Sequence, residues 1–131
     1  METGWQLSAD RPIYLQLVEH LQLSILSGQL PPGGRVPPVR ELAAEAGVNP
    51  NTMQRALQDL EQSGLVQTQR TSGRTVTQDA GMIDALRAQL ARREVGAFLD
   101  SMTRLGMPAR AAASLAADEA ARREPQPPRE G

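Results

Sequence analysis

The sequence predicts a mainly α fold with a small β-hairpin, a winged helix-turn-helix followed by a short two-helix dimerisation appendage. Two stretches of helical periodicity, Val39–Ala46 and Pro50–Gln62, are separated only by Gly47-Val48-Asn49. A pair of short β-branched and polar segments follows Gly64. Beyond Gln78 the composition shifts to alanine, leucine and arginine, and its apolar stripes find no large residues in the same region to cover them.

With 131 residues the chain has room for one domain of average size, or a small one with an appendage. It contains no cysteine, which excludes disulfides, thiolate metal sites and thiol nucleophiles and makes the cytoplasm the expected location. Met1-Glu2-Thr3-Gly4 leads into no long apolar run, so neither a signal peptide nor a membrane span is expected. The formal net charge is −1, and all 14 basic residues are arginine. Nucleic-acid binding therefore requires local clustering of arginines, which grip phosphate and guanine bidentately. Trp5, Tyr14 and Phe98 are the only aromatic residues, too few for base-stacking platforms.

Trp5-Gln6-Leu7 reads as a short extended segment. Pro12 suits the first position of a helix on which Tyr14, Leu17, Val18, Leu21 and Ile25 form one stripe, with Gln16, Glu19 and Ser24 elsewhere on the circumference. Gly28 ends it, and Leu30-Pro31-Pro32-Gly33-Gly34 is a turn-rich connection to Arg35-Val36-Pro37. The second helix, Val39–Ala46, buries Val39, Leu42, Ala43 and Ala46, and Gly47 closes it in the left-handed conformation. Asn49 caps a third helix that starts at Pro50, the connection of a helix-turn-helix.

At about 100° per residue, Met53, Ala56, Leu57 and Leu60 face inward while Asn51, Arg55, Gln58 and Gln62 face outward, flanked by Thr52 and Gln54. That outward face carries the amides, hydroxyl and guanidinium that can read base edges in a major groove. Ser63-Gly64 stops the helix. Residues 65–69 and 74–77, joined by Arg70-Thr71-Ser72-Gly73, form the expected wing, with Arg70 and Arg74 straddling its tip.

The next stripe runs through Met82, Ile83, Leu86 and Leu90 and continues, rotated, through Val95, Phe98, Met102 and Leu105, so a bend or change of packing partner is expected at Gly96. Gly106-Met107-Pro108 is a turn. A final helix from 108 to about 123 has mostly alanine at its contact positions, with Asp118–Arg122 and Glu119–Arg123 as expected pairs. A second copy of the chain is the expected cover for these helices. The dimer interface is accordingly assigned to Met82, Ile83, Leu86, Leu90, Val95, Phe98, Met102, Leu105 and Leu115.

The segments Pro12-Ile13-Tyr14-Leu15-Gln16-Leu17, Ile25-Leu26-Ser27-Gly28-Gln29-Leu30, Pro32-Gly33-Gly34-Arg35-Val36-Pro37, Arg40-Glu41-Leu42-Ala43, Asn51-Thr52, Ala56-Leu57, Leu60-Glu61 and Gly64-Leu65-Val66 together resemble the DNA-binding domain of GntR-type transcription regulators. Val48-Asn49-Pro50-Asn51-Thr52 and the short C-terminal helical pair resemble the YtrA subfamily, whose second part is a dimerisation appendage. The resemblance implies a homodimer that binds double-stranded DNA at a pseudo-palindromic operator and represses. It also implies DNA contacts from Arg40, from Thr52, from Arg55 one turn on, and from the wing tip between Arg70 and Arg74. The candidate DNA-contacting set is Arg35, Arg40, Asn49, Asn51, Thr52, Arg55, Gln58, Arg70, Ser72, Gly73 and Arg74. Three positions depart from the family pattern: Thr71 where glycine is common, Thr75 where an aromatic is common, and Pro38 where a serine caps the second helix.

The expected domains are 1–78, the winged helix-turn-helix; 79–124, the helical dimerisation region; and 125–131, a disordered tail. No cofactor or metal is expected: His20 stands alone on the flank of the first helix, and no nucleophile-base motif, phosphate loop or carboxylate dyad points to an enzyme. Two other functions fit the same residues. One is a winged helix used as a protein-interaction module without DNA binding, and the other is a regulator responding to a small ligand held between the C-terminal helices.

Overall fold

The computed structural model describes residues 4–124, so the expected tail at 125–131 lies outside the described residues. The element order is α1 (Ile13–Ser27), α2 (Val39–Ala46), α3 (Pro50–Gln62), β1 (Val66–Gln69), β2 (Gly73–Val76), α4 (Ala80–Arg104) and α5 (Ala109–Arg123). The chain divides into two compact units, Met1–Arg87 and Ala88–Gly131, and the division falls within α4.

In the first unit α1 and α2 both pack on α3. Leu17 and Leu21 of α1, Leu42 and Ala43 of α2, and Met53, Ala56, Leu57 and Leu60 of α3 are all buried. Full burial of one such leucine or methionine side chain stabilises by about 1.5–3 kcal/mol, so the inward stripes fix how α3 is presented. Pro12 sits one place earlier than expected, at the N-cap with φ −52° and ψ 131°, and the helix starts at Ile13. The reason is its extended ψ, which no helical residue can have.

Gln16 and Ser24, expected off the buried face, are both buried. Gln16 acts as a latch. Its Oε1 accepts from Ser8 N–H at 2.8 Å, and its Nε2 donates to Ser8 O at 2.8 Å and Arg11 O at 2.9 Å. A buried amide with its polar atoms paired costs little, and this one ties the N-terminal segment to α1. Trp5 stacks on His20 with ring centroids 3.7 Å apart.

The helix-turn-helix closes through local chemistry. Gly47 adopts φ 71° and its N–H reaches Ala44 O at 3.3 Å, while Val48 N–H reaches Ala43 O at 3.0 Å. A residue with a Cβ would be strained at that φ. Asn49 Oδ1 then accepts from Asn51 N–H at 2.8 Å, and Pro50 supplies the preset first helical residue.

β1 and β2 pair antiparallel, with Val66 opposite Val76 and Thr68 opposite Arg74. The connection before α2 is more than a turn. Gly33 N–H donates to Val76 O, Val36 N–H to Arg74 O and Val76 N–H to Gly34 O, each at 2.9 Å, and Arg35 bridges Thr75. This lays the connection along β2 through a single β-bridge, beside a sheet of two strands.

The first turns of α4 belong to the first compact unit, which ends at Arg87. Ile83 and Leu86 are buried, a Cβ placed on Gly64 would meet the Met82 methyl at 3.1 Å, and Arg87 donates to Leu26 O at the end of α1 at 3.3 Å. A cation there also suits the negative end of the α1 dipole. Gly96, where a bend or a change of packing partner is expected, lies inside one continuous helix from Ala80 to Arg104. In the second unit Ala112 is the one buried residue among those described. Glu119 pairs with both Arg122 and Arg123, whereas Asp118, expected to pair with Arg122, has no ion-pair partner among the described residues.

Candidate nucleic-acid interface

α3 presents the face its periodicity implied. Met53, Ala56, Leu57 and Leu60 are at most 1% exposed. Asn51, Arg55, Gln58 and Gln62 are exposed, with Thr52 and Gln54 half-buried at the flanks. Asn49 is exposed, but its side-chain oxygen is committed to the N-cap, leaving only its amide N–H groups for another partner.

Arg40 is exposed in the first turn of α2. Arg35, Ser72, Gly73 and Arg74 come together around one cleft of about 330 Å³, closed on the other side by Pro37, Pro38 and Val39. Arg70 and Ser72 are exposed in the turn between the strands, and Gly73, at φ 72°, opens β2 there.

Arg74 differs from the expected wing-tip cation. It stands in the ladder opposite Thr68, is half-buried, and its Nε donates to Glu61 Oε1 at the end of α3. With both partners partly screened from solvent the pair is a strut between wing and helix, and the guanidinium is already engaged. Sequence spacing missed this because Glu61 and Arg74 meet only when the hairpin folds back.

Among the described residues Arg35, Arg40, Arg55 and Arg70 form no ion pair. Arg55 instead lies over the Tyr14 ring, with its central carbon 3.6 Å from the ring centroid. Arg11 neutralises Glu19. The two pairs take up arginines and carboxylates in equal number, so the cations open to a phosphate are Arg35, Arg40, Arg55 and Arg70 individually rather than a net positive surface.

Burial holds the His20 imidazole below its ordinary value, opposed by the charge of Glu45. Among the described residues no cluster of three His, Asp or Glu could hold a metal, and no helix is long and apolar enough to cross a membrane.

The residues assigned to a dimer interface separate into two groups. Ile83 and Leu86 are 7% and 8% exposed within one chain and, with Met82, hold α4 to the winged unit, so they have little surface left for a second copy. Leu90, Phe98 and Met102 are half-buried, while Val95, Leu105 and Leu115 are exposed. Phe98, Met102 and Leu115 line a groove of about 550 Å³ between α4 and α5, within the second unit.

Comparison with known proteins identifies the architecture. The family model for bacterial regulatory proteins, gntR family, matches residues 13–76. The uncharacterized HTH-type transcriptional regulator YhcF of Bacillus subtilis is 35% identical over 102 residues, covering 78% of this chain and 84% of that one. The HTH-type transcriptional repressor YtrA of the same organism is 38% identical over 72 residues, 55% of each chain. Among solved structures, a GntR family transcriptional regulator from Listeria monocytogenes superimposes with a TM-score of 0.71 at 34% identity, covering 76% of this chain and 88% of that one. The chain belongs to the gntR family of bacterial regulatory proteins and is a DNA-binding, winged helix-turn-helix transcriptional regulator, not an enzyme.

Proposed function

We propose that the protein is a homodimeric repressor that binds a pseudo-palindromic operator, with α3 in the major groove of each half-site. The observation that carries this reading is the exposed polar face of α3, Asn51, Arg55 and Gln58, flanked by arginines without ion pairs. In this reading Arg55 and Gln58 reach base edges and Asn51 and Thr52 serve the helix start. Arg40 and Arg35 hold phosphate, and Arg70, Ser72 and Gly73 bring the wing beside the site. Asn49 acts chiefly as the cap and Arg74 as the strut.

Pairing is supported by the exposed Val95, Leu105 and Leu115, which a second copy would cover. Repression is supported by the likeness to the relative named a repressor. A regulator of this bacterial family works where the chromosome lies, so the cytoplasm is the proposed location. The face of α3 carries no aromatic anchor, which disfavours a purely protein-binding module.

The test is fluorescence anisotropy with duplex from the region upstream of the gene, over a salt series. Arg55→Ala is expected to cost about 1–3 kcal/mol in site discrimination. Arg40→Ala is expected to reduce the salt slope by about one while weakening all sequences alike. Unchanged binding by both variants would refute these roles.

A further inference from the structure

We propose that Tyr14 is the positioning residue for Arg55, setting sequence selectivity without touching DNA. This rests on the reading above that Arg55 contacts DNA. Tyr14 lies at the start of α1, half-buried, and it is the aromatic residue that α1 sets against the recognition helix. The Arg55 central carbon lies 3.6 Å from the ring centroid, which is face contact. At that separation the ring quadrupole attracts the guanidinium without supplying a carboxylate or carbonyl acceptor for its N–H groups.

Among the described residues Arg55 makes no hydrogen bond and no ion pair, so those donors remain open; Asp59, one turn on, is not its partner. Arg74 shows the contrast: its Nε is taken by Glu61, and a base or phosphate would have to displace that carboxylate. An aromatic face competes for none of the donors. It removes part of the ordering cost that a free arginine would meet on binding, while leaving the hydrogen-bonding edge available. The phenol oxygen has no part in this, so phenylalanine should serve equally well.

The test is a double-mutant cycle on the specific duplex and on a random-sequence duplex, with an NMR reading of the free protein. Tyr14→Phe should bind as the parent does. Tyr14→Leu should weaken the specific duplex by about two- to tenfold, flatten discrimination at the base pair read by Arg55, and leave the random duplex unchanged. In an Arg55→Ala background Tyr14→Leu should have no further effect. The ring-current displacement of the Arg55 side-chain resonances should persist in Tyr14→Phe and vanish in Tyr14→Leu. Should Tyr14→Leu fail to fold, Tyr14→Met takes its place in the cycle. A loss that persists in the Arg55→Ala background would overturn the proposal, because Tyr14 would then act only by packing α1 on α3. An equal loss in Tyr14→Phe would also overturn it. If Arg55→Ala alone leaves specific binding intact, the reading of Arg55 as a DNA contact fails first and the proposal falls with it.

Discussion

In the unit ending at Arg87, Leu17, Leu21, Met53, Leu57 and Leu60 are each at most 1% exposed, whereas in the unit starting at Ala88 the large apolar residues Val95, Leu105 and Leu115 are 55%, 75% and 49% exposed. Both units are helical, so helix formation does not explain the difference. The first sets leucine and methionine against one another on three helices and closes its own core. The second has alanine at most contact positions of α5, and only Ala112 leaves solvent. At about 25 cal/mol per Å² of apolar surface, helices meeting through alanine gain little from each other. The first unit therefore closes its own core, whereas the second leaves large apolar side chains in solvent, the surface that the proposed second copy would cover.

The sharpest way to break this contrast is to make one substitution in each unit. Leu57→Ala should lower unfolding free energy by about 2–5 kcal/mol in denaturant titration. Leu105→Ala, removing the same atoms from an exposed position, should stay within about 0.5 kcal/mol when the chain is dilute enough to be monomeric. Equal costs would mean that the second unit has a core of its own. Next in size, Phe98→Glu should weaken self-association by about tenfold or more in sedimentation velocity and lower operator affinity with it. A variant that stays dimeric would move the interface elsewhere.

Helix starts sharpen the contrast further. α3 has a side-chain cap from Asn49, whereas α5 begins after Pro108 with none. Asn49→Ala should cost about 1 kcal/mol of stability and slow the operator on-rate through a frayed recognition helix, as read by thermal melting and stopped flow.

The smallest effect is pH dependence, and it belongs to the first unit because the sole histidine lies there. Burial lowers the His20 pKa from 6.5, so below that pH the unfolded chain binds a proton that the folded chain resists. Stability is therefore full above about 6.5 and falls as the pH drops toward the folded value. Comparing unfolding midpoints at about pH 7.5 and about pH 5.5, His20→Gln should show a smaller drop than the parent. An identical drop would assign the effect to carboxylates.

What the sequence disclosed was whatever depends on neighbours along the chain. The bounds of α2, the Gly47 turn, the Asn49 cap and the faces of α3 follow from residue types within one or two turns. Hidden features depend on partners far away in the chain. The Gly33–Val36 region looks like a turn because its pairing comes from hydrogen bonds to β2. Gln16 reads as a surface amide because its partners are main-chain groups of the preceding segment. Ile83 and Leu86 share a stripe with residues further along α4, and periodicity cannot tell a stripe covered by its own chain from one awaiting a mate. At the interface the face was legible, but the engagement of Arg55 with Tyr14 and of Arg74 with Glu61 was not.

Hydroxyl-radical footprinting of the purified protein on its own upstream DNA, with the stoichiometry of the complex read in parallel, bears on the pairing of two closed readers through open C-terminal units. Two protected half-sites related by a dyad, about one helical turn or a multiple of it apart and occupied by two chains, are expected. Protection of a single half-site by one chain at saturation would contradict it.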